Sequence, residues 1–262
     1  MTPLARRSQI EQAAELLHKA RDPLVLTGAG LSTPSGIPDF RSPAAGLWEH
    51  ADPFEVASLL TFRYHPQKFF NWLRPLATII RRAQPNPAHY ALAALEAARH
   101  VRWLVTQNID GLHTRAGHQQ VLELHGSMLT ATCVRCHTSQ PAREALDTFI
   151  HTGEMPRCAA CGNLLKPDVI LMGEQLALDV LRAARRAARD CDLIVVAGSS
   201  LEVMPAAGLP LEALDYGARL IIINYSPTYL DDRATCLIHA DVAEALPQMA
   251  TALGLNLYDS LV

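Results

Sequence analysis

Four short apolar runs set the limits on what this chain can become: Leu24-Val25-Leu26-Thr27, Trp103-Leu104-Val105, Leu193-Ile194-Val195-Val196 and Leu220-Ile221-Ile222-Ile223. Each follows a stretch of helical spacing. Ile10, Ala13, Ala14 and Leu17 predict an amphipathic helix over about 8–20, ended by Asp22-Pro23. Further helices are predicted over 88–99, 177–189 and 211–216, and a last one over 243–253. A strand that is apolar at every position has both faces covered, and strands that alternate with helices are joined in parallel. The pattern predicts an α/β fold built on a doubly wound parallel sheet.

Two stretches break this rhythm. Residues 41–85 are rich in proline and aromatic residues, and residues 127–166 show helical spacing only around 142–150. Both are read as insertions into the α/β core that together form a small second domain. The chain has 262 residues, 49% hydrophobic and 19% charged, which suits one large core with a smaller insert. A formal net charge of −3 gives no electrostatic reason to expect nucleic acid or an anionic membrane as partner. No apolar run reaches the roughly 18 residues that span a bilayer. The segment from Met1 to Leu17 carries Arg6, Arg7, Glu11 and Glu15 without an apolar h-region, so it does not read as a signal peptide. Six cysteines in so long a chain do not make a secreted disulfide framework; the reading is cytoplasmic, with Cys191 and Cys236 as buried thiols.

The other four cysteines form two C-x2-C knuckles 21 residues apart, Cys133/Cys136 and Cys158/Cys161. Two such knuckles complete a tetrahedral thiolate site for one zinc ion. Disulfides or buried thiols are the alternative. Four thiolates leave no open coordination position, so the ion is expected to be structural rather than a Lewis acid. From Ser127 to Lys166 there are four Arg/Lys and three Asp/Glu, a balance that lacks the basic footprint of a nucleic-acid-binding ribbon.

At the end of the first apolar run stands Thr27-Gly28-Ala29-Gly30-Leu31-Ser32. Glycines there let a backbone approach a pyrophosphate, or they make an ordinary tight turn. The third glycine of G-x-G-x-x-G is missing, and no Lys-Ser/Thr follows to make a P-loop. The continuation is more specific. Residues 28–41 read Gly-Ala-Gly-Leu-Ser-Thr-Pro-Ser-Gly-Ile-Pro-Asp-Phe-Arg, and 106–113 read Thr-Gln-Asn-Ile-Asp-Gly-Leu-His. Then follow Glu123-Leu124-His125-Gly126, the run from Lys166 to Glu174, Gly198-Ser199-Ser200-Leu201 and Ile223-Asn224. This set, in this order, resembles the sirtuins, the NAD-dependent protein-lysine deacylases, over about Leu24 to Val242.

The resemblance implies a Rossmann-like NAD-binding domain (1–40, 86–126 and 167–262), with the helical insert 41–85 and the zinc-ribbon insert 127–166 as the small domain. It implies that Gly28, Ala29, Gly30, Ser32 and Thr33 lie at the cofactor with Gly198, Ser199 and Ser200, which supply donors to the phosphates. Asn224 and Tyr225 fall at the ribose, and Val242 at the adenine. Asn108, Ile109 and Asp110 belong to the nicotinamide pocket. Asp39, Phe40 and Arg41 match the cofactor-binding loop. His125 takes the place of the general base, deprotonating a ribose hydroxyl after the acyl-lysine amide oxygen has displaced nicotinamide. Gln107 orients the ribose and the imidazole, and Asn108 also counts among the catalytic residues. The substrate peptide adds as a strand between Gly173-Glu174 and the segment around Val203.

Relatives that remove acidic acyl groups carry Tyr-x-x-Arg where this chain has Leu73 and Leu76, so an apolar acyl group, chiefly acetyl, is expected. With Ile170 and Met172, these leucines are the expected acyl-pocket residues. Partners are acyl-lysine proteins or peptides; the sequence leaves the oligomeric state open. Protein ADP-ribosylation at the same NAD site is the rival reading.

Overall fold

The computed structural model describes residues 3–39, 46–49 and 51–256. The strands among them are β1 (Pro23–Thr27), β2 (Trp103–Thr106), β3 (Val121–Glu123), β4 (Gly126–Cys133), β5 (Ser139–Pro141), β6 (Leu165–Val169), β7 (Leu193–Ala197), β8 (Arg219–Ile223) and β9 (Cys236–Ile238). The helices are α1 (Pro3–Lys19), α2 (Pro53–Val56), α3 (Leu59–Tyr64), α4 (Pro66–Arg82), α5 (Pro87–Ala97), α6 (Leu112–Arg115), α7 (Arg143–Thr152), α8 (Leu178–Asp190), α9 (Leu209–Asp215) and α10 (Val242–Ala252).

Six strands form a parallel sheet in the order β3-β2-β1-β7-β8-β9. Successive strands run outward in one direction from β1 and in the other from β7, which is the doubly wound arrangement the apolar runs predicted. The side-chain period of two explains why those runs are apolar throughout. Val25, Val195, Ile221 and Ile223 point into a core with α1, α5 and α10. Their neighbours Leu24, Leu26, Ile194, Val196, Leu220 and Ile222 point into a core with α8 and α9. The edge strands β3 and β9 have three residues each, too short to stand out as apolar runs.

The stretch from α2 to α4 is helical. The second interruption holds β4, β5, α7 and β6, with the three strands paired antiparallel in the order β5-β4-β6. A third core joins them. Phe62, Phe69 and Phe70 of α3 and α4 pack with Phe149 of α7, Met128 and Ala131 of β4, and Leu165 and Val169 of β6. Phe70 and Phe149 meet edge to face at 5.3 Å. Arg74 of α4 caps the last turn of α7, donating from Nε and Nη2 to the Ile150 carbonyl at 3.0 and 2.8 Å. Arg81 grips Asp147 with two hydrogen bonds of 2.6 and 3.0 Å. No described helix is long and apolar enough to cross a membrane.

Candidate active site

The ends of β1 and β7 are adjacent at the point where the strand order reverses, and the turns that follow them are packed backbone to backbone. Gly30 N–H donates to the Gly198 carbonyl at 2.9 Å, and Gly28 N–H to the Ala197 carbonyl at 3.2 Å. A β-carbon on Gly28 would lie 2.8 Å from the Gly198 oxygen, and one on Gly30 3.0 Å from the same atom. The glycines are therefore required first by this close approach of two turns. The N–H groups of Leu31 and Ser32 also donate within the turn. Among the described residues, Ala29, Ser199 and Ser200 keep N–H groups with no protein acceptor, which fits an anion lying across the two turns.

Above these turns opens a crevice of about 1270 Å³. It collects nearly every site residue expected from sequence: Gly28, Ala29, Gly30, Thr33, Asp39, Gln107, Asn108, Ile109 and His125 on one side of the switch point, and Gly198, Ser199, Ser200, Asn224, Tyr225 and Val242 on the other. Leu73, Leu76, Ile170, Met172, Gly173, Glu174 and Val203 line the same space. Ser32 and Asp110 sit instead at a side cavity of about 20 Å³, which shares Ala29, Asn108 and Ile109 with the crevice. Phe40 and Arg41 lie outside the described residues.

Several of these groups have internal duties that the sequence did not reveal. Asn108 is buried, and its Nδ2 donates to the Gly28 carbonyl and to Ser32 Oγ, both at 3.0 Å. Ser32 Oγ passes a hydrogen bond to Asp110 Oδ2 at 2.7 Å, and Asp110 Oδ1 accepts the Leu112 N–H at 2.8 Å. Burial holds the Asp110 carboxyl above its usual range. Asn224 Nδ2 donates to the Ser226 carbonyl at 2.7 Å, so the turn-capping role that its residue type allows is real. Asp241 caps α10 through the Ala243 N–H, and Glu174 Oε2 pairs with Lys166 at 3.0 Å.

His125 stands between β3 and β4. Its Nδ1 lies 2.9 Å from the main-chain carbonyl of Gln107. A carbonyl only accepts, so Nδ1 bears the proton and Nε2 is the basic nitrogen of the neutral ring. The orienting group is thus the backbone of Gln107; its side-chain amide donates to Ser199 Oγ at 2.9 Å. The main chain around the imidazole is pinned as well, by Leu124 N–H to the Thr106 carbonyl at 2.9 Å and Ile170 N–H to the His125 carbonyl at 2.8 Å. Gly126 has φ +73°, and a β-carbon there would come within 1.9 Å of the Asp168 oxygen. Only glycine lets β4 start against β6 directly after this histidine.

Sequence reasoning missed an apolar wall. Phe69 and Trp72 line the crevice with Leu73 and Leu76 on α4, and Trp48 stacks on Trp72 at 5.7 Å and 15°. The spacing 69, 72, 73, 76 is one helical face, so the two leucines already pointed to the other two. Nothing in the sequence pairs Trp48 with Trp72.

The sulfur atoms of Cys133, Cys136, Cys158 and Cys161 lie within 4.8 Å of one another. Cys133 and Cys161 are 3.4 Å apart, and Cys136 and Cys158 3.6 Å apart. That is too long for a disulfide and near the ~3.8 Å edge of a tetrahedron with Zn–S bonds of about 2.3 Å. Cys191 and Cys236 are buried apart from them.

Comparison with known proteins agrees with this geometry. The Sir2 family profile matches residues 28–205. The NAD-dependent protein deacylase 2 of Archaeoglobus fulgidus is 45% identical over 92% of this chain and 94% of its own. The NAD-dependent protein deacylase of Ralstonia nicotianae is 42% identical over 91% of this chain and 94% of its own. Among solved structures, one described under the structural basis for the mechanism and regulation of Sir2 enzymes superposes with a TM-score of 0.87 at 44% identity, covering 94% of this chain and 98% of that one. A Sir2 variant with a deacetylated p53 peptide and 3'-O-acetyl-ADP-ribose superposes with a TM-score of 0.88 at 36% identity, covering 94% and 99%. With a profile match over more than half its length, and relatives of this identity along nearly all of it, the chain belongs to the Sir2 family, the sirtuins.

Proposed function

We propose that this protein removes acyl groups, chiefly acetyl, from protein lysine residues in an NAD-dependent reaction that releases nicotinamide and O-acyl-ADP-ribose. The observation that carries this reading is His125, its basic Nε2 set by a main-chain acceptor, in the same crevice as the two glycine-bearing turns. Family membership supplies the reaction class. None of the relatives above is named for ADP-ribosylation, the rival use of the site.

NAD, when bound, supplies a ribose carbon from which nicotinamide can leave. The rest falls to the protein. Ala29, Ser199 and Ser200 offer N–H groups to the pyrophosphate. Asn108, with both amide hydrogens committed, presents a carbonyl oxygen to the nicotinamide end. His125 Nε2 accepts the proton of the attacking ribose hydroxyl, and Nδ1–H to Gln107 keeps it aimed. Asn224 and Tyr225 serve the ribose, and Val242 borders the adenine. The peptide enters as a strand between Gly173-Glu174 and Val203, segments that both line the crevice. Leu73 and Leu76, buried and without a charged neighbour on their face of α4, suit an apolar acyl chain and disfavour a carboxylate.

One zinc ion held by the four cysteines has a structural part only, and the four thiols belong to a reducing compartment such as the cytoplasm. The NAD-binding domain on this reading comprises 1–40, 86–126 and 167–262, less 167–169, which pair with β4 in the small sheet, and the small domain is the two inserts between. The test is an acyl-lysine peptide panel, acetyl, butyryl and succinyl, with and without NAD, with products identified by mass. Turnover without NAD, or ADP-ribose fixed on protein with no free acyl-ADP-ribose, would sink the proposal; a preference for succinyl would overturn the acyl assignment.

A further inference from the structure

Outside the crevice, three histidines are buried together where α5 meets α6 and the turn after it: His89, His113 and His118. Their rings touch, with centroids 4.9 Å apart for His89 and His113 and 5.2 Å apart for His113 and His118. Burial lowers the pKa of all three, that of His89 to about 3, so the group is neutral at pH 7.

The contacts define each tautomer. His89 Nδ1 accepts the Asn86 N–H at 3.3 Å, which puts its proton on Nε2. His118 Nδ1 faces Glu96 Oε2 at 3.1 Å, a carboxylate that also accepts the Gln119 and Gln120 N–H groups, so Nδ1 is the donor. Thr27 Oγ1 gives its one proton to Thr106 Oγ1 at 2.8 Å. His113 Nε2, 3.0 Å from Thr27 Oγ1, must then be the donor in that contact. The three nitrogens left over, His89 Nε2, His113 Nδ1 and His118 Nε2, are buried and lack a partner among the described residues.

A metal does not account for the cluster. His89 Nε2 carries a proton, and among the described residues the ligand atoms that converge within 4.8 Å belong to the four cysteines. Packing does not account for it either, because leucine or phenylalanine would fill the space without burying unpaired nitrogens. What an imidazole offers at position 113, and an apolar side chain does not, is the Nε2–H donor to Thr27.

That donor lies at the head of a chain. Thr27 ends β1, directly before Gly28, and Thr106 ends β2, directly before Gln107. Thr106 Oγ1 also accepts the Asn108 N–H at 3.0 Å. We propose that His113 is a positioning residue for the deacylation reaction: by donating to the Thr27–Thr106 hydroxyl pair it fixes the two strand ends that carry the glycine turn and Asn108. It does not itself line the crevice. The inference rests on the reading of Asn108 and the Gly28 turn as NAD-contacting groups.

His113→Phe keeps a ring between His89 and His118 and removes the donor, whereas His113→Gln restores an N–H near the former Nε2. The expected result is a rise in KM for NAD of about fivefold to tenfold in the phenylalanine variant, the worth of one buried hydrogen bond, with KM for the acyl peptide within about twofold. The glutamine variant should recover most of that loss, and nitrogen NMR of the wild-type imidazole should show the neutral Nε2–H tautomer. Thr27→Val breaks the same chain from the other end and serves if the phenylalanine variant does not fold; it should reproduce the NAD-selective defect. Where both fold, combining them should add nothing further. Equal behaviour of the Phe and Gln variants, a parallel shift of both KM values, or an Nδ1–H tautomer would overturn the proposal. If the wild type binds no NAD by titration calorimetry, the functional reading falls and this inference with it. If the wild type binds and the phenylalanine variant binds equally well, only this inference falls.

Discussion

The two sheets solve the same problem by different means. In the six-stranded sheet, β1 and β7 are buried at every residue, and helices on both faces exclude water. In the three-stranded sheet, β6 alternates buried and half-buried residues and β5 is largely exposed, so one face alone reaches the aromatic core with α4 and α7. A sheet covered on both sides is held by its own hydrophobic burial. A three-stranded one covered on one side, whose core takes in the buried Cys133 and Cys158 of the two knuckles, would gain from a metal staple. The contrast suggests a division to test: the glycine turns and His125 border the first sheet and its junction with the second, and the second sheet has the smaller share of burial.

The largest effect expected from this division is on activity alone. His125→Ala should cut deacylation by about 10²–10⁴-fold, the usual worth of a general base, with the melting temperature nearly unmoved. A variant that keeps full turnover, or one that unfolds, would break the separation of chemistry from scaffold. Next comes zinc. Cys133→Ser, or a strong chelator, should release the ion and lower activity at least about tenfold by loosening the small sheet, since structural zinc contributes folding energy. Retained fold and full activity without bound metal would show the staple to be dispensable.

Smaller, and more diagnostic of the contrast itself, is a matched pair of core truncations. Leu26 and Leu165 are both fully buried, one in each sheet. Each change to alanine should cost about 2–5 kcal/mol. Leu26→Ala should lower the main calorimetric transition, and Leu165→Ala an earlier one that shifts with zinc. A single transition moved alike by both would show one cooperative unit and dissolve the comparison.

The smallest effect belongs to Arg81 and Asp147, which tie α4 to α7. Arg81 holds the Asp147 carboxyl below its usual range, so the stabilisation is present above the unfolded carboxylate pKa and fades as pH falls through the folded one. Both side chains are more than a third exposed, 37% and 38%, so solvent screening keeps the pair's worth under about 1 kcal/mol. Arg81→Ala should therefore shift stability slightly at pH 7 and not at all near pH 2, as denaturant titrations at the two values would show.

The parallel sheet was legible because double-sided burial writes itself into every residue of a strand. The short edge strands β3 and β9 were not, since three residues carry no pattern. The small sheet was hidden for a different reason: its strands are half polar, and its register comes from antiparallel pairing across long separations. What the structure brings together was legible where the motifs are local, as in the cysteine knuckles, whose sulfur atoms converge, and the run around His125, which reaches the crevice. It was not legible where contact is made in three dimensions. Gln107 orients His125 by its backbone, Asn108 and Asn224 each hold a turn closed, and Trp48 finds Trp72. The histidine cluster joins residues from α5 and α6, and no local pattern marks it.

Gly126 offers a way of reading genomes. With no room for a β-carbon between it and the Asp168 carbonyl, this position fixes where the neighbouring His125 stands between β3 and β4. A homologous gene that retains the histidine but encodes another residue next to it should specify a protein in which β4 has shifted against β6.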